Sequence, residues 1–127
     1  MAYHLTKTTR RPFDETIATV KSALAEQGFG VLTEIDVRST LANKLGVDFR
    51  PYKILGACNP SFAHRALQLE DKVGTMLPCN VVVQEKDGMV EVSAVDPIAS
   101  MQAIDNPALA DIARQVRDRL AKVVDAV

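Results

Sequence analysis

The sequence carries no excess of either charge, and that absence excludes a first class of function. Fifteen Lys and Arg stand against sixteen Asp and Glu, a formal net charge of −1 over 127 residues. Nothing in that balance would neutralise a phosphate backbone, so no nucleic-acid partner is expected. Long apolar runs are missing too, none approaching the roughly 18 residues a membrane helix requires. The start, Met1-Ala2-Tyr3-His4-Leu5-Thr6-Lys7, lacks the basic-then-apolar order of a signal peptide. Cysteine is scarce: Cys58 and Cys79 are too few for a secreted disulfide framework. These absences together lead to the expectation of a soluble, cytoplasmic protein with reduced thiols and no membrane partner. A single Cys58–Cys79 pairing stays open, because spacing alone does not supply the geometry a disulfide needs.

Cofactor motifs are equally short. The cysteines and histidines match neither Cys-x-x-Cys nor His-Glu-x-x-His. The glycines at 28, 30, 46, 56, 74 and 88 are scattered, and no Gly-Lys-Ser/Thr follows them, so there is no phosphate loop. Ser61 lies outside any nucleophile-elbow motif. The sequence therefore names no cofactor and no reaction.

What is present is an average globular chain, 47 % apolar and 24 % charged, of a length that suits one domain with its own core. A first strand is expected over residues 2–9. Pro12, Asp14 and Glu15 suit the start of a helix, with Phe13, Ile17, Val20 and Leu24 on its apolar face and Gly28 at its end. From Phe29 the period becomes two: Phe29, Val31, Thr33, Ile35 and Val37 would face one way, and Gly30, Leu32, Glu34 and Asp36 the other. A short helix is expected over 39–45 between a Ser39 cap and a Gly46 stop, then a strand from Tyr52 to Ala57. Asn59-Pro60 reads as the cap and first position of a helix over about 60–70. Val81–Glu85 and Met89–Val95 read as a hairpin with Asp87-Gly88 at its turn. Asp96-Pro97 and Asn106-Pro107 begin further helical segments, the last with an apolar stripe of Leu109, Ile112, Val116, Leu120, Val123 and Val124. Five strands with flanking helices give a single-domain α+β sandwich over residues 1–127, with a mainly antiparallel sheet and helices on one face.

Polar and reactive residues gather in two stretches, Leu55-Gly56-Ala57-Cys58-Asn59-Pro60 followed by His64, and Leu77-Pro78-Cys79-Asn80-Val81. Cys58 precedes a helix N-terminus, where a thiolate would be favoured, while a packed and unreactive thiol is the alternative. Cys58, His64 and Cys79 are the candidate metal ligands. With Asn59 and Asn80 they would line a site for a small molecule or metal ion, Asn59 also reading as a helix cap. Asn80 calls for partners because asparagine is disfavoured in strands. Glu34 and Asp36, two apart on a strand, leave one face and would emerge on the face opposite the helices. They read either as a cation- or ligand-binding pair, or as an ordinary face with ion pairs to Lys44, Arg50 or Lys53.

These stretches resemble the domain-of-unknown-function 302 family of small bacterial and archaeal proteins. The likeness rests on Thr33-Glu34-Ile35-Asp36-Val37, on Tyr52-Lys53-Ile54-Leu55-Gly56-Ala57-Cys58-Asn59-Pro60, on Ala63-His64 with Ala66-Leu67, on Leu77-Pro78-Cys79-Asn80-Val81-Val82-Val83, and on Val95-Asp96-Pro97. It implies a fold similar to the TATA-binding-protein class, β-α-β(4)-α with an inserted helix, and a homodimer as the assembly. It places Glu34, Asp36, Cys58, Asn59, Pro60, His64, Pro78, Cys79 and Asn80 at the family's motif positions. It implies no activity, and a fold shared with a DNA-binding class transfers no DNA binding. A non-catalytic interaction module, in which the Cys-Asn turns are structural, is the alternative to the ligand site.

Overall fold

The threonine-rich start of the chain forms β1 (His4–Thr9) in the computed structural model, which describes residues 2–127. Pro12 stands at the cap of α1 (Phe13–Glu26), whose first turn carries Asp14 and Glu15 at the favourable end of the helix dipole. Then follow β2 (Gly30–Asp36), α2 (Val37–Leu45), β3 (Tyr52–Cys58), α3 (Pro60–Leu69), a 3-10 turn (Asp71–Met76), β4 (Cys79–Lys86), β5 (Met89–Val95), α4 (Pro97–Ser100) and α5 (Leu109–Asp125). The strands make one antiparallel sheet in the order β1-β5-β4-β3-β2. The order along the chain is β-α-β(4)-α with α2 and α3 both inserted between strands, one more than the resemblance implied.

The core lies between one sheet face and helices α1 and α5. Alternate strand residues Leu55 and Ala57, Val81 and Val83, and Val90, Val92 and Ala94 are buried there. Ile17, Val20 and Leu24 of α1 and the foreseen α5 stripe from Leu109 to Val124 pack against them. The β4–β5 turn has Asp87 and Gly88 at φ 53 and 77, the left-handed pair that joins two strands without splaying them. The opposite face carries no helix residue from the core cluster and stays open, as a sheet covered on one side should.

Three local expectations are corrected. Leu32 bulges out of the β2–β3 ladder, which jumps from Val31↔Ala57 to Thr33↔Gly56. One extra residue reverses the alternation, so Glu34 stands opposite Leu55 and Asp36 opposite Lys53, on the helix side of the sheet. Thr33 and Ile35 take the open face instead. The short helix begins at Val37, because the Asp36 carboxylate, not Ser39, is its cap and accepts from the Ser39 N–H at 3.0 Å. Asn59 occupies the cap position of α3, yet its side chain makes no capping bond.

Candidate functional site

Each Cys-Asn stretch finishes or begins a central strand, and packing accounts for most of its residues. Gly56 sits where a Cβ would collide with the Thr33 hydroxyl and come within 2.8 Å of the Pro78 ring. Glycine is thus required for Thr33 and Pro78 to close over β3. The Asn59 amide turns away from its own helix and donates to the Gln27 carbonyl at 3.3 Å, where Arg119 Nη1 also donates at 3.0 Å. Gln27 follows the last residue of α1, so these two donors satisfy a carbonyl at a helix end and tie α1, α3 and α5 together. Arg119 also lies over the Phe62 ring, 5.2 Å from its centroid.

The two thiols stand in different surroundings, Cys58 half-buried and Cys79 buried. Cys79 stands opposite Ala57 in the ladder and Cys58 opposite Gly30, and both cysteines are free. Burial, with a smaller effect from neighbouring Cys58, pushes the Cys79 thiol up to about 11, so it is a protonated core residue at neutral pH. The cavity bordered by Cys58, Asn59, Phe62, Cys79, Met101 and Val116 measures about 30 Å³, room for a water but not for a metabolite. His64 lies exposed on α3 and takes no hydrogen bond among the described residues. No three His, Cys, Asp or Glu side chains of the described residues group as a metal ion would need, so Cys58, His64 and Cys79 do not assemble a metal centre.

The acidic pair is divided between two tasks. Glu34 accepts from Lys21 Nζ at 2.9 Å and from Lys53 Nζ at 3.2 Å, and those hydrogen bonds hold its carboxyl below the usual carboxylate range. Lys53 was among the expected partners; Lys21 reaches Glu34 only because the bulge turns that side chain towards α1. Asp36 is the α2 cap. Asp96 of the Val-Asp-Pro stretch is buried, caps α4 by accepting from the Ile98 N–H at 2.9 Å, and pairs with Arg117 Nε at 3.1 Å.

Asn80 alone of the expected residues borders a roomy hollow, and it does so on the open sheet face. Gln84, Glu91, Ser93, His4 and Tyr52 share this space of about 300 Å³, with Val82 and Val95 as its apolar floor. A chain of polar contacts crosses three strands beneath it. Arg50 Nε donates to Gln84 Oε1 at 2.8 Å, and Gln84 Nε2 donates to Glu91 Oε1 at 3.3 Å. The Ser93 hydroxyl donates to the same carboxylate oxygen at 3.5 Å, lies 2.9 Å from Thr6 Oγ1, and Thr6 Oγ1 lies 2.6 Å from His4 Nδ1. Glu91 is half-buried and has no cationic partner within salt-bridge distance among the described residues. The Asn80 amide makes no hydrogen bond there either.

None of Gln84, Glu91 and Ser93 sits in a motif. Their signal in the sequence is polar residues on one side of β4 and β5: Asn80 and Gln84, with Val82 between them on that side, and Glu91 and Ser93 two apart. That alternation ordinarily means only a wetted face. A larger cleft of about 390 Å³ lies between α4 and α5, lined by Ile98, Met101, Ile104 and Leu109. Of its polar lining, Arg114 pairs with Asp111 and the Asn106 amide donates to the Leu69 carbonyl, while Gln102 and Asp105 are exposed and make no side-chain hydrogen bond among the described residues.

An open five-stranded antiparallel sheet with helices on one face, its β3–α3 corner tied to the end of α1 by Asn59, is the class of protein these features define. The chain belongs to the family described as Domain of unknown function DUF302, whose model matches residues 5–127. A solved structure described as an uncharacterized conserved protein DUF302 from Bacillus stearothermophilus is 35 % identical and superposes with a TM-score of 0.94. That match covers 99 % of this chain and 98 % of the other. None of the curated proteins compared matches the chain. Family and neighbour indicate no specific function. Among the described residues, no helix is long and apolar enough to cross a membrane.

Proposed function

We propose that the protein is a non-catalytic binding domain whose ligand, a small polar organic molecule, lies on the open sheet face over Asn80, Gln84, Glu91 and Ser93. The observation that carries this reading is the half-buried Glu91 carboxylate, hydrogen-bonded only to neutral side chains at the edge of a hollow of about 300 Å³. A carboxylate drawn partly out of water favours a partner, and hollows of this size hold small ligands. The Cys-Asn stretches serve as scaffold on this reading, and the ligand site moves from Cys58, Asn59, His64 and Cys79 to the face that Asn80 shares. The two free thiols support a reducing, cytoplasmic setting, and the bacterial source of the neighbour supports a bacterial one.

Amide chemical-shift mapping with benzylamine, benzamide, benzoate and imidazole tests the location. Shifts centred on Asn80, Gln84, Glu91 and Ser93 are expected. Shifts centred on Ala57, Cys58, Phe62 and Cys79, or none with any probe, would overturn the reading.

A second reading concerns assembly, and a separate observation favours it. Leu32 is 68 % exposed and Leu45 69 %, and Ile35 and Val47 are exposed beside them. Leu32 and Ile35 belong to β2, Leu45 ends α2 and Val47 follows it, and β2 is an edge strand with unpaired backbone groups. We propose that a second copy of the chain covers this edge by pairing β2 with β2. Light scattering should give twice the monomer mass, and Leu32→Lys should halve it. A wild-type monomer at all concentrations would refute the dimer.

A further inference from the structure

The open-face hollow offers hydrogen-bond acceptors at both ends, and the polarity of its side-chain chain follows from one group. An ionised carboxylate only accepts, so Ser93 must spend its proton on Glu91. Thr6 must then donate to Ser93, and His4 Nδ1 must donate to Thr6. In neutral His4 this polarity corresponds to the tautomer protonated at Nδ1, in which Nε2 is an acceptor. Gln84 is ordered the same way, its oxygen taken by Arg50 and its amide nitrogen turned to Glu91. The other Glu91 oxygen and His4 Nε2 therefore remain as acceptors, and the Asn80 amide adds one more acceptor and two donors. Among the residues lining the hollow, the full charge is the single negative one of Glu91. Tyr3 and Tyr52 are the phenol rings that border it, and ring faces attract cations.

We infer that this hollow selects a small, planar nitrogen cation, an amidinium or protonated amino-heterocycle, whose N–H groups meet Glu91 while its flat body lies over Val82 against a tyrosine ring. The inference rests on the open face being the ligand site and adds the charge and shape of the ligand. Volume agrees, since about 300 Å³ is the lower end of ligand pockets and admits one ring with a substituent. Arg50 is the opposing group. Its guanidinium is held by Gln84 and lies 4.4 Å over the Phe49 ring and 5.7 Å from the Tyr52 centroid. It already occupies the approach to Tyr52, so a bound cation would feel its repulsion.

Calorimetric titration of the intact protein with benzamidinium, benzamide and benzoate, with shift mapping of each, tests the inference. Benzamidinium should bind at the hollow, benzamide more weakly and benzoate not at all. Glu91→Gln should weaken benzamidinium by about tenfold, the value of one charge-assisted contact, and leave benzamide unchanged. Arg50→Ala should tighten benzamidinium. Both side chains are outside the core, so unchanged melting curves would show that the variants fold. Equal binding of benzamidinium and benzamide, indifferent to Glu91→Gln, would overturn the cation inference and leave the open-face site standing. Failure of all three probes to shift open-face residues would remove the site as well.

Discussion

Cys79 shows how strongly position, more than residue type, governs chemistry at the scale of single side chains. Its thiol is buried opposite Ala57 and pushed up to about 11, so it resists both deprotonation and access. Iodoacetamide at about pH 8 should modify Cys79 slowly in the native protein and rapidly in urea, measured by mass spectrometry; equal rates would contradict its burial. Because the folded state keeps its proton to higher pH than the unfolded chain, Cys79 stabilises fully below about pH 9. That contribution falls as pH rises towards about 11, a slope that Cys79→Ala should lack in thermal melts. Glu34 has the opposite sign. Its carboxyl is lowered from 4.5 by Lys21 and then Lys53, so its contribution is present above about pH 4.5 and is lost on acidification through the lowered value. The partners are half-exposed, so Glu34→Gln should cost no more than about 1 kcal/mol at neutral pH and flatten the acid limb of stability.

Among the elements, the decisive features are a bulge, a glycine and a cap. The period-two pattern of Phe29–Val37 correctly marks a strand, and the Asp87-Gly88 turn and the α5 stripe are legible for the same reason: each is a local consequence of chain geometry. The bulge at Leu32 leaves no local mark, since it depends on how β2 meets β3, and it alone moves Glu34 and Asp36 to the helix side. Asn59 illustrates the same boundary. Its position before Pro60 announces a helix start, while its bond to the Gln27 carbonyl depends on α1 arriving from 32 residues upstream. The Gly56 requirement likewise comes from Thr33 and Pro78 closing over it. Gly56→Ala should destabilise by about 1–3 kcal/mol in urea unfolding, the usual cost of overpacking, and Thr33→Ala should restore part of it. Asp96→Ala removes the α4 cap and strands Arg117, which keeps some exposure. We expect a loss of about 2 kcal/mol, less than for a fully buried pair. A change within experimental error would show that the Val-Asp-Pro stretch is not an anchor.

For the whole molecule, the sheet separates an apolar core face from a polar open face, where we propose that recognition takes place. One face carries the apolar core with α1 and α5, and Asn59 at the end of β3, together with Arg119, fastens that layer to the end of α1. The other face carries a polar chain from Arg50 to His4 beneath a hollow that no helix of the described residues covers. The motif residues were conspicuous in the sequence because they are chemically unusual. The open-face residues were not, because alternating Gln, Glu and Ser look like any solvated strand until the register sets them side by side. On the proposed reading, binding belongs to the open face, and the motif residues other than Asn80 belong to the scaffold. Benzamidinium affinity, measured by calorimetry in two variants, tests it most directly. A Cys58→Ser, His64→Ala double variant should bind as wild type does, and Glu91→Gln about tenfold more weakly. Affinity lost in the double variant and kept in Glu91→Gln would contradict it.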